Sequence, residues 1–207
     1  MSLEALIFVT VSLFVIMDPL GALPIIIRIT YGLNKKVVMR LSLEVAFFVM
    51  MLLSLFATLG RYILDYFGIS IPSLKIAGGI MLAVMGFEMM KEGEKPRSRR
   101  EAIISEDEAF ANALVPLGSP MIAGPGAISL AIIYGSLYGY HVALAGIIIN
   151  SLILIPTILF ARYVNRFIGE RGVRVLTRVL GFFVLALAVQ YILEGISMYI
   201  NSSGFGI

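Results

Sequence analysis

Hydrophobic residues dominate the chain in six long stretches that are separated by short polar connections. A helix that crosses the hydrocarbon core of a bilayer needs about 20 predominantly apolar residues, and each stretch is close to that length. The pattern therefore predicts six transmembrane helices and no separate water-soluble domain. The predicted spans cover residues 4–27, 41–64, 72–90, 110–134, 142–160 and 175–200.

The basic residues are distributed very unevenly between the two sides of this layout. Fourteen of the 16 Lys and Arg residues lie in or beside the connections after spans 1, 3 and 5, and only Arg61 and Lys75 lie on the other side. Connections that are rich in Lys and Arg stay in the cytoplasm, so both termini are predicted to be extracytoplasmic. We expect a multi-pass protein of the cell (plasma) membrane.

Composition agrees with a membrane protein and argues against several kinds of site. Hydrophobic residues make up 59% of the chain and charged residues 14%, with a mean hydropathy of +0.98. The chain has no cysteine and one histidine, His141, which excludes thiolate sites and multi-histidine metal sites. The net charge is only +3, which argues against a nucleic-acid partner. We expect no cofactor and no enzymatic activity.

Three short motifs recur in the same order in the two halves of the chain. The pairs are residues 18–24 with 115–120, 61–68 with 162–169, and 75–78 with 178–181, at offsets of 97, 101 and 103. Because each copy contains three spans, the second copy crosses the membrane in the opposite direction, as in the inverted repeats of secondary transporters. The predicted organisation is a three-helix repeat (1–90), a charged cytoplasmic connector (91–109) and an inverted three-helix repeat (110–207).

Helix-breaking residues lie near the middle of the first span of each half. Proline inside a helix costs about 3 kcal/mol, and nonhelical backbone at membrane depth is tolerated only against protein or a wet cavity. Helices 1 and 4 are therefore predicted to be discontinuous, and the alternative is a pair of proline kinks that only improve packing. The breakers are Pro19, Gly21 and Pro24 in span 1, and Pro116, Gly118, Pro120, Gly124, Pro125 and Gly126 in span 4.

Unwound segments of this kind expose helix ends that suit a zwitterionic ligand. An N-terminal helix end favours a carboxylate, and a C-terminal end favours an ammonium group. Interrupted spans at matching positions of two halves indicate a transporter binding site. The candidate substrate-binding residues are Asp18, Pro19, Gly21, Pro24, Gly118, Ser119, Pro120, Gly124, Pro125, Gly126 and Asn150.

Polar side chains within the spans supply the candidates for chemistry. Asp18 lies directly before Pro19, where it N-caps a half-helix that begins at Pro19, or binds the substrate ammonium or a coupling proton. Glu44 and Glu88 lie near the cytoplasmic ends of spans 2 and 3, as proton-coupling candidates or as partners of basic residues. Asn150, at the centre of span 5, either joins helices or binds substrate.

The motifs of the broken spans are similar to those of a known family. Residues 18–24 (DPLGALP) and 116–128 (PLGSPMIAGPGAI) resemble the MarC-related integral membrane proteins, which include the SnatA small neutral amino acid transporters. The resemblance covers essentially the whole chain. It implies a proton-coupled carrier of glycine, alanine and similar amino acids, whose substrate site is formed by the two discontinuous helices around Gly21 and residues 118–126.

The sequence thus favours a secondary active transporter that works by alternating access around a midplane site between helices 1 and 4. Its expected partners are a small neutral amino acid, protons and the lipid bilayer. No glycine-rich phosphate-binding loop with a following Lys-Ser/Thr occurs, which argues against the use of ATP. The alternative is an uncoupled channel or facilitator, or a metabolite exporter, of the same architecture.

Overall fold

The computed structural model describes residues 2–91 and 122–202, and within these ranges the chain is helical, without a strand. The predicted all-α class is thereby confirmed for these residues. Residues 92–121 lie outside these ranges. They include the predicted connector from residue 92 to 109 and the predicted binding residues Gly118, Ser119 and Pro120. The helices are α1 (Leu3–Met17), α2 (Leu23–Ile29), α3 (Lys35–Phe67), α4 (Ile71–Lys91), α5 (Pro125–Leu137), α6 (Tyr140–Leu159) and α7 (Ala161–Ser202).

Several of these helices have the length and composition of membrane spans. Four stretches qualify, namely α3, α4, α6 and the Arg171–Ser202 part of α7, whereas α1 and α5 are shorter apolar helices. On α3, Phe47, Met51 and Leu55 are 61%, 52% and 49% exposed. Residues at this four-residue spacing share one helix face, and a helix that is apolar on its outer face as well as its buried face is typical of a protein surrounded by lipid. The structure is that of a multi-pass membrane protein.

The first predicted span is interrupted at the predicted place. Helix α1 ends at Met17, because Asp18 adopts a left-handed backbone conformation (φ 39°, ψ 59°) that residues with a side chain adopt rarely. The chain then turns and continues as α2 from Leu23. In the fourth span, α5 begins at Pro125 after the extended residue Gly124 (φ −68°, ψ 177°).

Two helices extend beyond the predicted spans. Helix α3 begins at Lys35 and not at residue 41, because the side chain of Asn34 accepts a hydrogen bond from the Lys36 N–H group and caps the helix start. Hydropathy does not detect such polar turns, since they lie outside the hydrocarbon. Helix α7 begins at Ala161 and is interrupted at Gly169 (φ 72°, ψ 159°), before its long apolar part.

Helices α4 and α7 pack closely along their length through glycine residues. A Cβ atom added to Gly79 would lie 2.8 Å from the carbonyl oxygen of Ala188, and one added to Gly86 would lie 2.8 Å from that of Gly181. Small residues at membrane helix interfaces allow such close approach of two backbones. Since residue numbers rise along α4 as they fall along α7, the two helices are antiparallel.

The other helix contacts and the connections between helices define two faces of the protein. Helix α3 packs against α5 and α6, α1 packs mainly against α6, and α4 also contacts α5. The guanidinium group of Arg162 donates a hydrogen bond to the carbonyl oxygen of Thr30, so the connections after α2 and α6 lie on the same side. We call this side, which carries Lys35, Lys91 and Arg162, the basic face, and the other side the opposite face.

Candidate functional site

The break after α1 is organised by the side chain of Asp18, which is only 7% exposed. Its Oδ1 atom accepts a hydrogen bond from the Gly21 N–H group at 3.0 Å, and its carbonyl oxygen accepts one from Ala22 at 3.2 Å. The side chain therefore caps a single turn, in the manner expected of an N-cap. The helix proper begins later than expected, at Leu23 and not at Pro19, because Leu23 donates to Leu20 in a tighter turn.

Gly21 is required by the close approach of this carboxylate. A Cβ atom on residue 21 would collide with the carboxylate of Asp18. The absence of a side chain therefore lets the backbone N–H group of Gly21 approach the acid. Pro19 is buried beside the same turn, and Pro24 is exposed in the first turn of α2, where a missing N–H group costs little.

The start of α5 presents backbone N–H groups without helical partners. Gly124 precedes the helix without a side-chain cap, Pro125 occupies the first turn, and the N–H group of Ile128 bonds to the Gly124 carbonyl oxygen at 3.0 Å. The N–H groups of Gly126 and Ala127 lie in the first turn of α5, where N–H groups have no carbonyl acceptor within the helix. The helix dipole adds partial positive charge at this end, so the start of α5 favours an anionic group.

A cavity of about 260 Å³ joins the two broken spans. Its volume lies just below the range of about 300–1,000 Å³ that is typical of sites for drug-sized ligands, so it suits a small molecule. It brings together four predicted substrate-binding residues, Asp18, Gly124, Pro125 and Gly126, and two predicted proton-coupling residues, Asp18 itself and Glu88. The described lining residues are Ile16, Asp18, Met81, Val84, Met85, Glu88, Met89, Gly124, Pro125, Gly126 and Ala127.

The groups that line this cavity include both negative and positive ones. The last turn of α1 ends in carbonyl groups and is followed by the carboxylate of Asp18, and Glu88 of α4 adds a second carboxylate. The start of α5 is the positive end of a helix dipole. The rest of the wall is largely apolar, with Met81, Val84 and Met85 contributed by α4. The cavity can therefore hold one cationic and one anionic group at the same time.

Glu44 lies elsewhere. Its Oε1 atom is 2.9 Å from Nε of Arg40, and the two side chains form an exposed ion pair on α3. Partnership with a basic residue is the alternative that the sequence offered to a role in proton coupling. It is not among the described residues that line the cavity.

Asn150 joins two helices. Its Nδ2 group donates to the carbonyl oxygens of Thr10 at 3.0 Å and of Gly146 at 2.9 Å, and the residue is 2% exposed. The bond to Thr10 links α6 to α1. Asn150 is absent from the described cavity wall, so these contacts favour the helix-joining alternative.

Asn150→Ala is expected to lower the free energy of unfolding by about 0.6–1.7 kcal/mol, because it removes a hydrogen bond between two membrane helices. Unfolding in mixed micelles, followed by circular dichroism, measures this difference. Thr157→Val on the same helix is the matched control, since the Thr157 hydroxyl donates to Ile153 of α6 itself. Equal stability of the two variants would contradict the assignment.

Sequence reasoning missed a second polar cluster, which lies toward the opposite face. Lys75 of α4 is 4% exposed, and its Nζ atom is 2.6 Å from Oε2 of Glu194 on α7. Tyr191, one turn before Glu194, donates a hydrogen bond to the hydroxyl of Tyr134 on α5 at 2.7 Å. An intramembrane ion pair is a functional signal, but the sequence pattern gives Lys75 only a place in the charge distribution and in the recurring motif, and it does not reveal the partner Glu194.

The fold and the cavity define the class of the molecule, a multi-pass helical membrane protein with a small cavity between the break after α1 and the start of α5. A family model described as "MarC family integral membrane protein" matches residues 3–200. The chain belongs to the MarC family of integral membrane proteins.

Relatives from archaea and bacteria agree with this family membership. The chain is 33% identical to the UPF0056 membrane protein MJ1677 of Methanocaldococcus jannaschii over 200 residues, which is 95% of this chain and 98% of the relative. It is 33% identical to the UPF0056 membrane protein YhcE of Escherichia coli K12 over 90% of this chain and 89% of the relative. It is 30% identical to the UPF0056 inner membrane protein MarC of Citrobacter koseri over 90% and 91%. No solved structure matches the chain.

Proposed function

We propose that this protein is a secondary active transporter of small neutral amino acids such as glycine and alanine, of the SnatA type within the MarC family. The observation that carries the proposal is the cavity of about 260 Å³ in which Asp18, at the break after α1, faces the start of α5. The cavity offers a negative and a positive end within a small volume, which is the requirement for a zwitterion with a short side chain.

The substrate binds with its ammonium group beside Asp18 and its carboxylate at the first turn of α5. Backbone N–H groups at a helix start favour a carboxylate, and a desolvated carboxylate favours an ammonium group. The apolar wall formed by Met81, Val84 and Met85 faces the amino acid side chain. We expect short side chains to be preferred, and acidic ones to be repelled by the carboxylates of Asp18 and Glu88.

Proton coupling is assigned to the carboxylates of this cavity. Asp18 and Glu88 both line it, so protonation of either one changes the charge that the substrate ammonium meets. Glu44, paired with Arg40 at the surface of α3, is the third and more remote candidate. The same groups serve uptake or export, since a secondary carrier is reversible.

An inverted repeat of three helices accounts for the helix contacts. If α3 and α4 correspond to α6 and α7, the contact of α3 with α6 corresponds to itself, and this contact occurs. The contact of α4 with α7 corresponds to itself, and these helices are antiparallel, as a two-fold axis in the membrane plane requires. Alternating access then moves one repeat against the other around the cavity.

The basic face is the cytoplasmic side in this proposal, and the termini are extracytoplasmic in the cell membrane. The positive-inside rule supports this orientation, as does the contact between Arg162 and Thr30, which joins two of the basic connections on one side.

The test is uptake of radiolabelled glycine into proteoliposomes, with and without an inward proton gradient. We expect saturable uptake that alanine inhibits, phenylalanine does not inhibit, and a protonophore collapses. Saturable uptake that ignores the gradient would retain the carrier and reject proton coupling. Uptake without saturation or pH dependence would support a channel, and no flux of either amino acid in folded protein would reject the amino acid proposal.

A further inference from the structure

The second polar cluster joins helices from both halves of the chain. Lys75 of α4 pairs with Glu194 of α7 at 2.6 Å, and Gln190 Nε2 donates to the other carboxylate oxygen at 2.7 Å. The ammonium group of Lys75 also lies 5.5 Å from the ring centroid of Tyr191. Through the hydroxyl of Tyr191 the cluster reaches Tyr134 on α5.

An aromatic group extends this cluster to α1. The ring of Tyr134 lies 6.0 Å from that of Phe8 and 5.8 Å from that of Tyr138, and Phe8 lies 6.1 Å from Tyr138. Tyr134 is 1% exposed and Tyr191 is 5% exposed. The side chains of α1, α4, α5 and α7 therefore meet in one layer, in which Tyr134 and Tyr191 are buried.

This layer lies between the cavity and the opposite face. On α4 the cavity wall begins at Met81, six residues beyond Lys75, which is about 9 Å along a helix. On α5 the wall ends at Ala127, seven residues before Tyr134, which is about 10 Å. The two displacements point the same way, because α4 and α5 are antiparallel, with Gly126 against Leu82 and Gly78 against Ser129.

We propose that Lys75, Glu194, Tyr191 and Tyr134 form the gate that closes the substrate cavity toward the opposite face. This inference rests on the proposed transport function. The gate is held by an ion pair between α4 and α7, which belong to different repeats, and by a hydroxyl–hydroxyl bond between α5 and α7. The ion pair separates when α4 moves relative to α7, so the gate opens when access changes sides.

The chemistry of the cluster suits a reversible closure. Lys75 is buried, so its charge is costly when it has no partner. The ion pair therefore stabilises the closed state as long as Glu194 remains beside Lys75. Glu194 is 41% exposed at its side chain, so water reaching this carboxylate stabilises the separated state. Water would not stabilise the separated surfaces of an apolar contact of the same size in this way.

The test uses an engineered cysteine as a reporter, which the chain permits because it contains no cysteine of its own. Met85→Cys places a thiol in the cavity wall. In the otherwise native protein we expect a membrane-impermeant maleimide to label this thiol in inside-out vesicles and not in intact cells. Labelling from the outer side, or from neither side, would overturn the proposal.

Removal of the ion pair is then expected to open the cavity to the outer side. Lys75→Met or Glu194→Gln, each combined with Met85→Cys, should raise the rate of labelling in intact cells about tenfold or more, because the closed state loses its pair. The charge exchange Lys75→Glu with Glu194→Lys should restore protection. Arg40→Met, which removes the exposed pair within α3, is the matched control and should leave labelling unchanged.

Two further measurements separate the gate from simpler roles. If the cluster only stabilises the fold, the variants melt at lower temperature while labelling from the outer side stays at the native rate, which would overturn the gate. Where Lys75→Met does not fold, Tyr191→Phe removes only the hydroxyl and should still raise outer labelling. Labelling of the cysteine needs no substrate, so the two proposals can fail separately. If the protein takes up glycine but the variants label at the native rate, the gate is rejected and the transport function is retained. If the variants change labelling but the protein takes up no glycine, the proposed substrate is rejected and the gate is retained.

Discussion

Asp18→Asn is expected to lower proton-driven glycine accumulation at least about tenfold while the fold is retained. Asparagine keeps an oxygen that can accept the hydrogen bond from Gly21, which holds the turn after α1. What it loses is the negative charge and the ability to carry a proton. A hydrogen bond to a charged group is worth about 1.5–3 kcal/mol, which corresponds to about a tenfold to hundredfold change in affinity.

The kinetic pattern of this variant distinguishes the two roles proposed for Asp18. If the carboxylate binds the substrate ammonium, the KM for glycine rises and exchange of labelled for unlabelled glycine is lost. If it carries the coupling proton, exchange persists and only the response to the gradient disappears. Asp65→Asn at the exposed end of α3 is the matched control and should behave as the native protein. Native accumulation by Asp18→Asn would remove Asp18 from the site.

Gly21→Ala is expected to impair transport almost as strongly, although it adds only one methyl group. The added Cβ atom would collide with the carboxylate of Asp18, so the acid must turn away from the Gly21 N–H group or the turn must shift. Steric strain of this kind costs about 1–3 kcal/mol, in addition to the weakened hydrogen bond. We expect the KM for glycine to rise about tenfold or more, measured by initial rates of uptake.

A double variant tests whether Gly21 acts through Asp18. If it does, Gly21→Ala in the Asp18→Asn background should cause little further loss, since coupled residues are not additive. Gly172→Ala on α7 is the control for steric strain away from the cavity, because the Cβ atom there would lie 2.7 Å from Cγ2 of Ile168, and Ile168 is not among the described lining residues. Fully additive losses would show that Gly21 matters for another reason.

Several features of this protein could be predicted because they depend on local composition. The apolar stretches predicted the membrane helices, and the start and end of α4 differ from the predicted span by one residue at each end. The break at Asp18 was predictable from Pro19 and Gly21, since proline and glycine act on the backbone next to them. The start of α5 at Pro125 follows from the same local chemistry.

Sequence alone therefore determined the helical membrane class, the approximate spans and the position of the first break, because each of these depends on neighbouring residues along the chain. Only the tertiary structure decided that Asp18 and Glu88 share a cavity, and that Glu44 is not among its described lining residues. It also placed Asn150 against Thr10, and Lys75 against Glu194, 119 residues away. Such partnerships depend on how helices that are distant in sequence pack and rotate against one another, and the polarity of a single residue carries no information about that packing.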